Sequence, residues 1–254
     1  MGAITFHVDA VLFDMDGTLV DSTAGIIGAW ETFAETYPGL DVQKILSSSH
    51  GVRTVDNLRK YCGLTCEADL ESEAERFEKA IVTSSKANGR KGITILPGVR
   101  SVIDELLPGK NNPKPCWAIV TSATRTYASA ALEIAGISTP DAFVTAEDVK
   151  QGKPSPDPYL LGAQKCGVLP GNCLVVEDAP AGVASGLAAG CAVIGLITSH
   201  TKEQMEARRP TYLVENLSRC AKTVEYRLSI HICRCSVSMK MGANGGVDVV
   251  VNID

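Results

Sequence analysis

The stretch Val8-Asp9-Ala10-Val11-Leu12-Phe13-Asp14-Met15-Asp16-Gly17-Thr18 decides how this chain is read. Its apolar run, Val8 to Phe13, is short and bounded, which predicts a fully buried strand. Two aspartates then leave the carboxyl end of that strand, one residue apart. In open α/β sheets, that end is where ligands bind. Two carboxylates on one loop can share a divalent cation while one attacks and the other moves a proton. Asp-x-Asp-Gly is also ordinary turn composition, because Asp and Gly both favour turns. The rest of the chain has to separate these readings.

Further apolar strands are expected at Trp117–Thr121, Ala142–Thr145, Cys173–Val176 and Ala192–Ile197, with helical patterns between them. That alternation predicts an α/β fold with a parallel sheet and crossover helices. One interval breaks the rhythm. From Ser22 to about Ile95 the pattern is helical. Ser22 is placed to N-cap a helix with Ile26, Ile27, Trp30, Phe33 and Ala34 on one face, stopped by Tyr37-Pro38-Gly39. Thr54 is placed to cap a second helix through Val55, Leu58 and Tyr61, ended by Gly63. Leu70, Ala74, Phe77 and Ile81 mark a third. Their apolar faces need one another, which predicts a helical subdomain inserted after the first strand and able to close over the Asp14–Asp16 loop as a lid.

Three later segments carry useful groups. Thr121-Ser122 follows a buried strand, where a hydroxyl and free backbone N–H groups suit a phosphate oxygen, although either residue could simply cap the next helix. Lys153-Pro154-Ser155-Pro156 fixes the backbone at Lys153, because a residue before proline is pushed to extended geometry. Glu177-Asp178 ends another buried strand. Two carboxylates there are expensive to desolvate together, and a cation held by hard oxygen ligands relieves that.

In order, spacing and strand context, Asp14-Met15-Asp16-Gly17-Thr18-Leu19-Val20-Asp21-Ser22, Thr121-Ser122, Gly152-Lys153-Pro154 and Glu177-Asp178 resemble the four motifs of the haloacid dehalogenase-like phosphohydrolases. The likeness runs from about Val8 to Leu217. It implies a Rossmann-like core over 1–20 and 95–217 and a helical cap over 21–94. It also implies Asp14 as nucleophile, Asp16 as acid and base, Thr121 on the phosphoryl oxygens and Lys153 balancing charge. Mg²⁺ would be held by Asp14, the Asp16 carbonyl and Asp178, with Glu177 in support. Thr18, Ser122 and Arg125 are the further substrate contacts it suggests. From the cap side, Ser49-His50-Gly51-Val52-Arg53-Thr54 forms a glycine-jointed loop from which His50 and Arg53 could reach the substrate. With the run through Asp56-Asn57-Leu58, it resembles the fungal 2-deoxyglucose-6-phosphate and glycerol-phosphate phosphatase group.

The expectation is a Mg²⁺-dependent phosphatase of a small sugar- or polyol-phosphate monoester. The alternatives are a sugar-phosphate mutase of the β-phosphoglucomutase type and a catalytically impaired sugar-phosphate-binding protein. Thr23-Ala24-Gly25-Ile26-Ile27 lacks the histidine such mutases carry after the first motif. With 254 residues, 45% hydrophobic and 21% charged, and a net charge of −5, the chain reads as an ordinary globular protein with no call for nucleic acid or membrane partners. The nine scattered cysteines suggest reduced thiols and a cytoplasmic monomer is expected. The last segment, 218–254, is expected to hold a hairpin pairing Cys235–Met241 with Gly246–Ile253 across Ala243-Asn244-Gly245. Arg-Cys recurs at Arg219-Cys220 and Arg234-Cys235, so Cys220–Arg234 reads as an insertion, with an ordinary extra strand over Tyr226–Cys233 as the alternative.

Overall fold

A computed structural model describes residues 2–89, 91–111, 115–218, 237–242 and 245–253. Six parallel strands form the main sheet: β2 (Ala10–Phe13), β5 (Trp117–Val120), β6 (Phe143–Val144), β7 (Cys173–Glu177), β8 (Ala192–Leu196) and β9 (Tyr212–Val214). Their order is β6-β5-β2-β7-β8-β9. This is the doubly wound arrangement, with its reversal of strand order between β2 and β7. The helices α5 (Val99–Leu106), α6 (Arg125–Ala135), α7 (Asp157–Cys166), α8 (Pro180–Ala188) and α9 (Lys202–Glu206) connect the strands. The central strands are continuous apolar runs because both faces are covered. In β2, Val11 and Phe13 join the core on one face, and Ala10 and Leu12 join the core on the other.

The first expected strand is two. β1 (Gly2–Val8) pairs antiparallel with β11 (Val247–Ile253), which in turn pairs with β10 (Val237–Met241) in a separate three-stranded sheet. The break falls at Asp9, whose N–H and carboxylate both bond Asn172. A continuous apolar run therefore serves two sheets, which its composition does not reveal. The β10–β11 pairing agrees with the expected terminal hairpin, whereas Ala243, Asn244 and the Cys220–Arg234 segment lie outside the described residues.

Among the described residues between β3 (Val20–Asp21) and β4 (Thr94–Ile95) lie four α-helices, which we call the cap: α1 (Thr23–Thr36), α2 (Val42–Ser49), α3 (Thr54–Cys62) and α4 (Glu67–Lys86). β3 and β4 pair antiparallel, Asp21 opposite Thr94, so the cap leaves and returns at one point. Leu70, Ala74, Phe77 and Ile81 are all buried, as their spacing predicts, and Trp30 packs on Phe77 with ring centroids 4.6 Å apart. Helix α2 was not expected; it is short and mixed in composition. Ser22 does not cap α1 with its side chain, because its hydroxyl is committed elsewhere. Among the described residues, no helix is long and apolar enough to cross a membrane.

Candidate active site

The carboxyl ends of β2 and β7 are neighbours, and the Asp14 N–H donates to the Val176 carbonyl at 3.0 Å. Asp14 therefore stands beside Glu177 and Asp178 at the reversal of strand order. Oxygens of these three buried acids lie within 4.8 Å of one another. Lys153 is buried among them. Its Nζ donates to Asp14 Oδ1 at 2.5 Å, to Glu177 Oε1 at 2.8 Å and to the Val120 carbonyl at 3.0 Å. Burial opposes its charge, but Asp14 and Glu177 outweigh that and raise its pKa. Asp14 is itself pushed well above the carboxylate range, by burial first and by Glu177 and Asp178 next, with Lys153 opposing.

Asp178 is raised to about 7 by burial and by the charge of Glu177. Its Oδ1 accepts from Thr18 at 2.9 Å; among the described residues no hydrogen bond of ordinary geometry reaches its buried Oδ2, although the Ser199 hydroxyl stands near and favours the charged form. A buried carboxylate oxygen facing further acid oxygens is the donor chemistry of a hard divalent cation. Gly17 makes the approach possible: it has φ +85°, and a Cβ there would sit 2.2 Å from Asp178 Oδ2. Glu177 belongs to the cluster, but both its oxygens are engaged. Oε1 accepts from Lys153 and from Tyr159 OH at 3.0 Å, and Oε2 from the Ala179 N–H at 2.8 Å. It anchors Lys153 and the start of α8, whereas Asp178 Oδ2 receives no hydrogen bond of ordinary geometry among the described residues.

Asp16 faces the same pocket. Its Oδ1 accepts from Ser22 Oγ at 2.5 Å and from Tyr127 OH at 2.8 Å. Burial raises its pKa against those two hydrogen bonds. Thr121 and Ser122 line the pocket from the end of β5, and the cap contributes Ile26, Trp30, His50, Asn57, Phe77 and Glu78 among others. Thr121 Oγ1 accepts from the Ala123 N–H at 3.1 Å. The helix α6 is capped by Thr124, neither by Thr121 nor by Ser122.

The other expected contacts are redistributed. His50 lines the pocket, with its pKa lowered to about 4 by burial and by His200, so it is neutral at neutral pH. Arg53 does not reach the pocket. Its guanidinium forks onto Asp56 at 2.8 and 3.3 Å, donates to the Lys150 carbonyl at 3.2 Å and rests against Gly152, where a Cβ would come within 2.7 Å. It fastens the cap to the loop that carries Lys153. Ser122 lines the pocket but donates its hydroxyl to the Gly51 carbonyl of the cap at 2.9 Å. Thr18 is fully buried against Asp178, away from the pocket. Arg125 is half-exposed, paired with Asp148 at 2.6 Å and stacked over Phe143, which also removes it from the site.

Asp14 with Asp16, Thr121 with Ser122, Lys153, and Glu177 with Asp178 thus converge at one sheet end, and in that order along the chain they are the residues of the four motifs. Residues 8–190 match the haloacid dehalogenase-like hydrolase family. The chain belongs to that family. Its relatives include hexitol phosphatase A of Escherichia coli, 46% identical over 185 residues that make 73% of this chain and 81% of that protein. Glycerol-1-phosphate phosphohydrolase 2 of Saccharomyces cerevisiae is 36% identical over 220 residues, 84% of each chain. A solved hydrolase from Pseudomonas syringae superposes with a TM-score of 0.65 at 25% identity, over 82% of this chain and 93% of that one.

Three residues of this haloacid dehalogenase-like site were not anticipated. Glu78 had a legible signal: it falls four after Ala74 and three before Ile81, an acid inside the apolar stripe of α4, and acids are rarely buried unless paired. Its carboxylate accepts from Thr54 Oγ1 at 2.9 Å, from the Thr124 N–H at 3.2 Å and from Thr124 Oγ1. The roles of Tyr127 and Ser22 depend on tertiary contacts with Asp16, and nothing in their local sequence shows them.

Proposed function

We propose that the chain is a Mg²⁺-dependent phosphatase of small sugar- or polyol-phosphate monoesters, with residues 21–94 as a lid over a core of 1–20 and 95–217. The observation that carries this is the pocket itself: Asp14 and Asp16 face a chamber whose lining, among the described residues, contains neither Lys nor Arg. Asp14 attacks phosphorus, the ester P–O bond breaks, and Asp16 protonates the departing oxygen. Water then attacks the aspartyl-phosphate, gives its proton to Asp16 and releases phosphate as the P–O bond to Asp14 breaks. Lys153 holds Asp14 Oδ1 and balances the gathered negative charge. The Thr121 and Ser122 segment is placed to bind phosphoryl oxygens. Asp14, the Asp16 carbonyl and Asp178 are the groups that would hold Mg²⁺, which supplies charge stabilisation for the transferring phosphoryl group.

A lining without Lys or Arg among the described residues favours hydrolysis over the mutase reading. A mutase must hold a bisphosphorylated sugar, and a second phosphate in the leaving-group chamber calls for a cation. Neutral His50 does not supply one, and Glu78 is an acid. Glycerol and hexitol monophosphates are therefore expected to be hydrolysed at least about tenfold faster, as kcat/KM, than fructose 1,6-bisphosphate, since an unpaired charge in a dry site costs well over the ~1.4 kcal/mol this ratio represents. Equal rates would overturn the monophosphate assignment. The names of the two relatives, a hexitol phosphatase and a glycerol-1-phosphate phosphohydrolase, support the polyol side of the proposal.

Metal dependence has its own readout. Mg²⁺ is expected to raise the melting temperature of the wild-type chain and to be required for turnover. In Asp178→Asn the same titration should leave the melting temperature unmoved, because the carboxylate charge that would face the cation is gone. An undiminished shift in that variant would place the cation elsewhere.

A further inference from the structure

Asp16 presents two carboxylate oxygens, and a proton on either would serve an acid catalyst in the abstract. The structure makes them unequal. Oδ1 accepts from both Ser22 Oγ and Tyr127 OH, and among the described residues no hydrogen bond reaches Oδ2. Each hydroxyl has one hydrogen to give, and both are spent on Oδ1, so that oxygen is fixed as an acceptor. Tyr127 is buried in the first turn of α6, and its N–H donates to Thr124 Oγ1 at 3.3 Å. Thr124 is gripped in turn by Glu78 of the cap helix α4, through its N–H and its hydroxyl. A chain of contacts thus runs from the cap through Glu78, Thr124 and Tyr127 to Asp16.

We propose that Tyr127 is a positioning residue for the reaction: with Ser22 it fixes Asp16 so that the transferable proton is carried on Oδ2, and Glu78 holds the start of α6 in the place this requires. The inference rests on Asp16 being the acid of the proposed phosphatase. It predicts that the Tyr127 hydroxyl matters only when the leaving group needs a proton. An alkoxide from a polyol phosphate needs one; acetate leaving acetyl phosphate does not.

The test compares kcat/KM for glycerol phosphate or a hexitol phosphate with kcat/KM for acetyl phosphate, in the full chain with Mg²⁺. This constant reports steps through leaving-group departure and is insensitive to the later hydrolysis of the aspartyl-phosphate. Tyr127→Phe keeps the buried ring and removes one hydroxyl. It is expected to lower the polyol-phosphate value by about tenfold to a hundredfold, a part of the 10²–10⁴ that acid catalysis contributes, and to leave the acetyl phosphate value within about twofold. Glu78→Ala should show the same split, and Glu78→Gln, which can still bond Thr124, should restore it. An equal fall on both substrates, or no fall on either, overturns the role of Tyr127. Absence of any Asp14-dependent release from either substrate in the wild-type chain overturns the phosphatase reading and this role with it.

Discussion

Asp14→Asn is expected to lower phosphate release from every substrate by on the order of 10⁴-fold or more, with the protein still folded. The amide matches the carboxylate in shape but cannot form the acyl-phosphate bond. The effect should therefore be independent of leaving group, in contrast to the split expected at Tyr127. Stability should change little or rise. Asp14 is buried against two other acids, and its pKa is raised by burial and by Glu177 and Asp178, so its charge is held there at a cost. At neutral pH the neutral side chain relieves that repulsion while giving up one contact with Lys153. Phosphate-release assays at saturating Mg²⁺, with melting temperatures alongside, check both halves. Residual activity within about a hundredfold of wild type would mean that another group attacks phosphorus.

Lys153→Met should be damaging in a different way, affecting fold and chemistry together. The side chain is fully buried and donates to Asp14, Glu177 and the Val120 carbonyl. Removing the cation leaves two carboxylates facing each other in a dry site, and breaking a buried ion pair from one side typically costs about 3–5 kcal/mol. For a chain of this size, that corresponds to a fall in melting temperature on the order of 10 °C. Activity should fall as well, because Asp14 loses both its fixed orientation and the charge that opposes the rise in its pKa. The double variant Lys153→Met with Glu177→Gln separates the terms. It should recover part of the lost stability, since one orphaned charge is gone, and none of the activity. Additive losses in the double variant would show that the two side chains do not act as a pair.

Where sequence reasoning reached the structure, it did so through periodicity and through groups at strand ends. The runs at Ala10–Phe13, Trp117–Val120 and Cys173–Glu177 are buried on both faces, so their composition alone marks them. Asp14, Lys153 and Asp178 follow from them, because a parallel sheet delivers its carboxyl ends to one side. Strand β9 was missed, being three residues long at the sheet edge. The split at Asp9 was missed because it depends on Asn172, far along the chain.

The expected substrate contacts divide for a similar reason. His50 lines the pocket, but Arg53 has an acid three residues away and Arg125 has Asp148 across a loop, and each takes the nearer partner. A lone arginine in a sequence shows charge and reach, but not which carboxylate will claim it. Ser22 was read as a helix cap, the usual local use of a serine there. Only the folded chain puts Asp16 within its reach.

The pairing of Asp21 with Thr94 gives the molecule a modular seam. Everything between those residues is threaded through a gap no wider than a hairpin's mouth. Such an insert can be exchanged for another helical segment of different length while the strands beneath keep their register.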